Sequence, residues 1–247
     1  MALNFPDTPS LGQIFPASPA AGVGSWQWDG SEWVTPPAII HQVTVNATGS
    51  FLYGALGTSQ TYTGLTIAAG SNTVLVVSVG WDIGSSAGTT PTGLSMVWDS
   101  GGANQALTRI ITSDPGTNTG WHSELWGLVG PVVGNKTLAL SWTTAAHPFL
   151  VGMAYDGVNQ TGGATSFPGA VSALSGNTLT VSSAASDIVM CSGVSNSDPL
   201  TILGTTIYND AAHTNYAFAS RMAGAASVTI GCTGGSQHLV ATDIKAA

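Results

Sequence analysis

Residues 65–82 read LTIAAGSNTVLVVSVGWD, and this stretch decides the fold class. An apolar run from Val74 to Val79 follows a Gly-Ser-Asn turn, the pattern of a buried strand. The plan returns at residues 179–196, LTVSSAASDIVMCSGVSN. Leu-Thr and a β-branched residue again precede a turn of small residues. Ile188, Val189, Met190 and Cys191 then stand where the first copy has Val74, Leu75, Val76 and Val77. Few residues are identical, so pattern and spacing carry the correspondence, as in an old internal duplication.

The echo continues downstream. Residues 137–143, TLALSWT, correspond to residues 227–233, SVTIGCT, and Phe149, Leu150 and Val151 to Leu239, Val240 and Ala241. Leu138, Leu140 and Trp142 alternate onto one face, as do Val228, Ile230 and Cys232, which half-buried antiparallel strands require. The expected fold is all-β, an antiparallel, jelly-roll-like β-sandwich of two internal repeats. The first repeat covers residues 37–160 and the second 161–247. Two tandem sandwiches or one larger body would satisfy this pattern. The short connection at residues 155–163 and the aromatic-poor second copy favour one body over residues 37–247. The first copy also carries residues 83–104, which the second lacks, and a long loop confined to one copy is where binding is expected.

Composition narrows the partners. Only 6% of the 247 residues are charged, against the roughly 25% of an ordinary domain, so tight turns and strands are favoured over long helices. Twelve acidic groups against Arg109, Lys136, Arg221 and Lys245 give a net charge of −8, which excludes phosphate-backbone recognition. A surface so poor in charge suits a subunit packed against others, and a homo-oligomer is expected, with a trimer favoured. The N-terminus, MALNFPDTPS, lacks the basic start and apolar core of a signal peptide, and no segment is long enough to insert in a membrane as a helix. Assembly in the cytoplasm is the expectation. Cys191 and Cys232 lie in apolar runs without metal-ligand spacing and read as buried thiols, close enough in pattern for a bridge to stay open.

Residues 1–36 form a module of their own. Pro6, Pro9, Pro16 and Pro19 interrupt regular structure before WQWDGSEWV at residues 26–34, a hairpin signal with Trp26 and Trp28 on one arm and Trp33 on the other. Each indole buries about 150–250 Å², an upper bound of roughly 4–6 kcal/mol. So short a module cannot build a full core, so Phe5, Trp26, Trp28 and Trp33 are expected to pack on another surface. The LNFPDTPSLGQ and GSWQWDGSEWV segments resemble the short N-terminal piece of many bacteriophage virion proteins, tail fibres and other appendages among them. That resemblance implies attachment to a particle, with other virion proteins as partners and the virion as location. The repeated layout, with ELW at residues 124–126 and GNKTL at residues 134–138, is also similar to an uncharacterised β-sandwich family of bacterial and phage genomes that carries no known activity.

Catalytic patterns are weak. Residues 84–88, GSSAG, match the G-x-S-x-G elbow but sit in a Gly/Ser/Thr loop with no helix pattern behind it. His41, His122, His147, His213 and His238 show no chelating spacing. Glu32 and Glu124 are the two glutamates, and Glu32 belongs to the N-terminal hairpin, so the paired carboxylates of a glycosidase are not in evidence. Asp82, Asp99, Asp114 and Asp156 fall at strand ends or turns, where calcium is the one cofactor to consider. No enzymatic activity is expected. The binding expectation is a host surface glycan stacked on Trp81, Trp98 or Trp121 beside Asp82, Asp99 and His122, against the alternative that these tryptophans are core. A free lectin-like module is the rival to the virion subunit, and a polysaccharide hydrolase stands third.

Overall fold

The computed structural model describes residues 6–10, 13–15, 26–28, 30–34, 42–82, 91–113, 121–195, 201–210, 212–213, 216–234 and 238–247. The chain divides into two compact units, residues 1–40 and 41–247. In the first, Ile14–Phe15, Trp26–Trp28 and Trp33–Val34 make a three-stranded antiparallel sheet. Trp28 pairs with Trp33 across the hairpin, their rings 5.7 Å apart, and Phe15 stands 6.1 Å from Trp33. Strands of two or three residues bury little, and these rings hold the small sheet together.

The second unit is all-β, as the sequence pattern requires. Its described residues hold one short 3-10 turn, Gly163–Thr165, and no α-helix. Val74–Asp82 is the centre of the larger sheet, paired along its whole length with Trp121–Val129 on one side and Leu138–Asp156 on the other. Its turn is the expected one, with Asn72 at φ 54°, a conformation that asparagine tolerates. All nine residues are buried, on both faces. Leu75, Val77, Val79 and Trp81 point one way and Val74, Val76 and Ser78 the other, so this strand serves two cores.

Leu138–Asp156 turns the corner between sheets. Its first part pairs with Gly57–Tyr62 and Ser95–Trp98, its second with Val74–Asp82 and with Thr44–Thr48, and the register breaks between Ser141 and Ala146. Pro148 is tolerated because its carbonyl faces Gly54 at the edge, accepting the Gly54 N–H at 2.8 Å, so the N–H it lacks would also point there. Between the two sheets lie Tyr62, Leu65, Trp81, Met96, Trp98, Leu138, Leu140 and Trp142.

The second half repeats the strand order. In the first, Leu138–Asp156, Val74–Asp82, Trp121–Val129 and Thr108–Thr112 follow one another; in the second, His238–Ile244, Ile188–Ser195, Tyr216–Ala223 and Thr205–Asp210 do. Both edge strands carry a register shift, between Arg109 and Ile111 and between Thr206 and Tyr208, and such a bulge discourages further pairing. A smaller sheet of Thr178–Val181, Val228–Thr233 and Thr201–Ile202 closes the second sandwich over Leu179, Val189, Phe218, Ile230 and Leu239. Cys191 and Cys232 are free thiols in this core, and burial raises both, Cys232 to about 11.

The two larger sheets face one another, which puts four layers in one unit. Val76, Leu125, Met153 and Tyr155 meet Met190, Val240 and Ile244, while Phe149 and Val151 meet Val194, Ala217 and Ala219. Ser78 and Ser192 are bonded oxygen to oxygen at 2.7 Å across this seam. Each half is therefore an antiparallel sandwich, and the seam between them is a further core.

Candidate functional site

Alternation along a strand governs where the expected sugar-binding residues lie. Trp81 is fully buried in the first sandwich, edge-on to Trp142 at 4.9 Å, whereas its neighbour Asp82 lies at the strand's end and accepts a hydrogen bond from the Tyr53 hydroxyl at 3.4 Å. Trp98 is fully buried as well, its Nε1 donating to the Val132 carbonyl at 2.8 Å. Neither ring offers a face to a sugar, a correction to the binding expectation. Asp99 shapes a turn: it has φ 54°, its carboxylate accepts the Ala103 N–H at 2.8 Å, and Lys136 stands 3.2 Å away. The Ala103 bond, with Lys136 assisting, holds that carboxyl below its usual range.

His122 is buried, with Nε2 3.2 Å from Glu124 Oε1, and Glu124 Oε2 accepts the Trp126 Nε1 proton at 2.6 Å. Their i, i+2, i+4 spacing puts all three on the core face of Trp121–Val129. Arg109 approaches from outside, 3.8 Å from Glu124. The second glutamate is thus a buried structural acceptor. Of the residues expected to bind, Trp121 is half-buried and pairs with Asp82. Among the attachment residues, Trp26, Trp28 and Trp33 lie in the small sheet and are half-buried, while Phe5 is outside the described residues, as are His41, Asp114 and the GSSAG segment.

A cluster that sequence reasoning missed lies where Asp82 ends. Trp121, Asp82 and His147 are cross-strand neighbours. The Tyr53 ring is sandwiched between two imidazoles, His147 at 5.0 Å and 10° and His213 at 3.7 Å and 21°. His147 Nδ1 lies 2.9 Å from the Gly54 carbonyl, and His213 Nδ1 lies 2.5 Å from Asp210 Oδ2. Tyr53 and His147 come from the first half and His213 and Asp210 from the second, so the stack bridges the seam. Burial first, then the Asp82 and Asp210 charges, pushes the Tyr53 hydroxyl up to about 12, so it remains a donor at neutral pH. Each carboxylate already has a partner within the cluster, and no group of three metal-ligating side chains occurs among the described residues. No signal in the linear sequence joins positions 53, 82, 147 and 213; only the facing of two sheets does.

A cleft of about 640 Å³ opens beside the edge strand Thr108–Thr112, lined by Arg109, Ile110, Leu128, Phe167, Pro168 and Ala170 among others. Its wall depends on Gly127, where a Cβ would come within 2.6 Å of the Phe167 ring. Arg109, with its side chain half exposed, is the ionisable group of a lining that is apolar apart from it and Thr108. No known protein family, curated protein or solved structure matches this chain.

Proposed function

We propose that the chain is a non-enzymatic structural subunit of a phage particle, a fibre, appendage or decoration protein attached through its N-terminal unit. The observation that carries this reading is the division at residue 40, which sets a small sheet held by Phe15, Trp28 and Trp33 apart from the body. The virion-type N-terminal segment lies wholly within that small unit. Four tryptophans of the body are spent on packing: Trp81, Trp98, Trp126 and Trp142 are all interior. That takes two of the three expected stacking platforms, Trp81 and Trp98, from the lectin alternative and supports a rigid displayed body. Matching strand orders in the two halves, with the matching bulges, support an origin by internal duplication.

Deleting residues 1–40 tests the attachment role. The truncated chain should keep the strand circular dichroism and thermal transition of the full chain while failing to enter particles assembled in its presence. Incorporation equal to that of the full chain would remove the N-terminal unit from the proposal.

A further inference from the structure

At the end of the body where both its first and last residues lie, two buried carboxyls meet. Asp187 and Asp243 are 6% and 3% exposed and accept hydrogen bonds from consecutive residues of one turn, Ala184 and Ser183. Asp187 Oδ1 accepts the Ala246 N–H at 2.8 Å, and Asp187 Oδ2 accepts the Ala184 N–H at 3.0 Å. Asp243 Oδ1 accepts the Ser183 hydroxyl at 2.7 Å. The turn held in this way also receives the start of the body, since the Ser186 carbonyl accepts the Val43 N–H at 2.8 Å. The C-terminal tail is bonded on either side, through Lys245 to Ser166 and Asn159 and through Ala247 to Gly157.

We infer that the Asp187–Asp243 pair is a proton-dependent clasp, closed while Asp243 holds its proton and loosened when that proton leaves, freeing the tail and the turn that holds Val43. Two adjacent buried carboxylates cannot both ionise cheaply. Among the described residues, the other ionisable group that reaches Asp243 is Lys245 on the tail, and the segments packed around the pair, residues 42–43, 166–168, 182–186 and 224–226, bring none. Burial, and then the Asp187 charge, raise the Asp243 carboxyl to about 7 against the opposing Ser183 bond. An acid raised in the folded state contributes stability that is full below its ordinary value and lost as pH rises through about 7. The clasp is therefore tight in mild acid and loose in mild alkali. It is independent of the particle reading, since it concerns the body alone.

Hydrogen exchange of the Ala246 and Ala184 amides in the full chain, corrected for intrinsic rates, tests it between pH 5 and 9. Protection should fall about tenfold per pH unit up to about 7 and then level off. Asp243→Asn keeps an acceptor for Ser183 and a donor toward Asp187 without titrating, so its protection should stay flat. Should that variant not fold, Asp187→Asn serves: removing the neighbouring charge should move the midpoint toward the ordinary carboxylate range. Wild-type protection that does not change with pH would overturn the inference. So would an unchanged pH profile in the variant that folds.

Discussion

Gly80 shows how much one side chain decides at the seam. A Cβ on it would sit 2.4 Å from Val194 Cγ2 in the opposing sheet. Val194 is β-branched, fully buried and short of rotamers, so it cannot step aside. Gly80→Ala should destabilise the body by about 1–3 kcal/mol, measured by urea unfolding. Adding Val194→Ala should return part of that loss, with a coupling of at least about 0.5 kcal/mol between the two changes. Independent, additive effects would mean the sheets do not interlock here. In the sequence Gly80 is only a gap in an apolar run, and the residue that fills it lies 114 positions away. Trp81 and Asp82, like Trp121 and His122, are adjacent in sequence and so point to opposite faces of their strands, while Trp121 and Asp82 become cross-strand neighbours. His122 turns into the sandwich with Glu124 and Trp126, and Trp121 to the seam.

The central strands carry the correspondence between the halves. The run from Val74 was matched to the run from Ile188, an offset of 114, and the seam bond joins Ser78 to Ser192 at that same offset. Removing one hydroxyl takes a partner from the other at a buried position, so Ser78→Ala or Ser192→Ala alone should cost about 1–3 kcal/mol, and the double variant less than the sum. Additive losses in a double-mutant cycle would break the proposed contact. Farther along, the two strands correspond one residue away from the register expected from sequence. Leu150 pairs with Val79 and Leu239 with Gly193, which sets Leu239 against Leu150 and not against Phe149. In a strand that slip exchanges the two faces, and a run apolar on both sides carries no alternation to prevent it. Residues 83–104 were expected to be a binding excursion, yet their Ser95–Trp98 strand places Met96 and Trp98 in the first core. A tryptophan within a Gly/Ser/Thr-rich stretch reads as exposed until the pairing with Leu138–Ser141 is known.

At the scale of the molecule, strands apolar on both faces imply a unit that cannot come apart by layers. Val74–Asp82 contributes Leu75, Val77 and Val79 to the first sandwich and Val74 and Val76 to the seam, while Ile188–Ser195 gives Val189 and Cys191 to the second sandwich and Met190 to the seam. Separating the halves would expose Phe149, Met153, Tyr155 and Met190 to water, each at a cost of about 1.5–3 kcal/mol. The Tyr53 stack between His147 and His213 closes one end of the seam, and the tail around Asp187 closes the end where the chain enters. Residues 41–247 should therefore unfold in one calorimetric transition, with the van't Hoff and calorimetric enthalpies equal. Deleting residues 1–40 should leave that transition in place, because those residues form a separate compact unit. Two resolved transitions within the body, or a stable first half after proteolysis between residues 157 and 163, would show the seam to be a contact between independent domains. Because the seam buries core residues from both central strands, loss of either sandwich strips a face from the other, and a single transition is the outcome this packing requires.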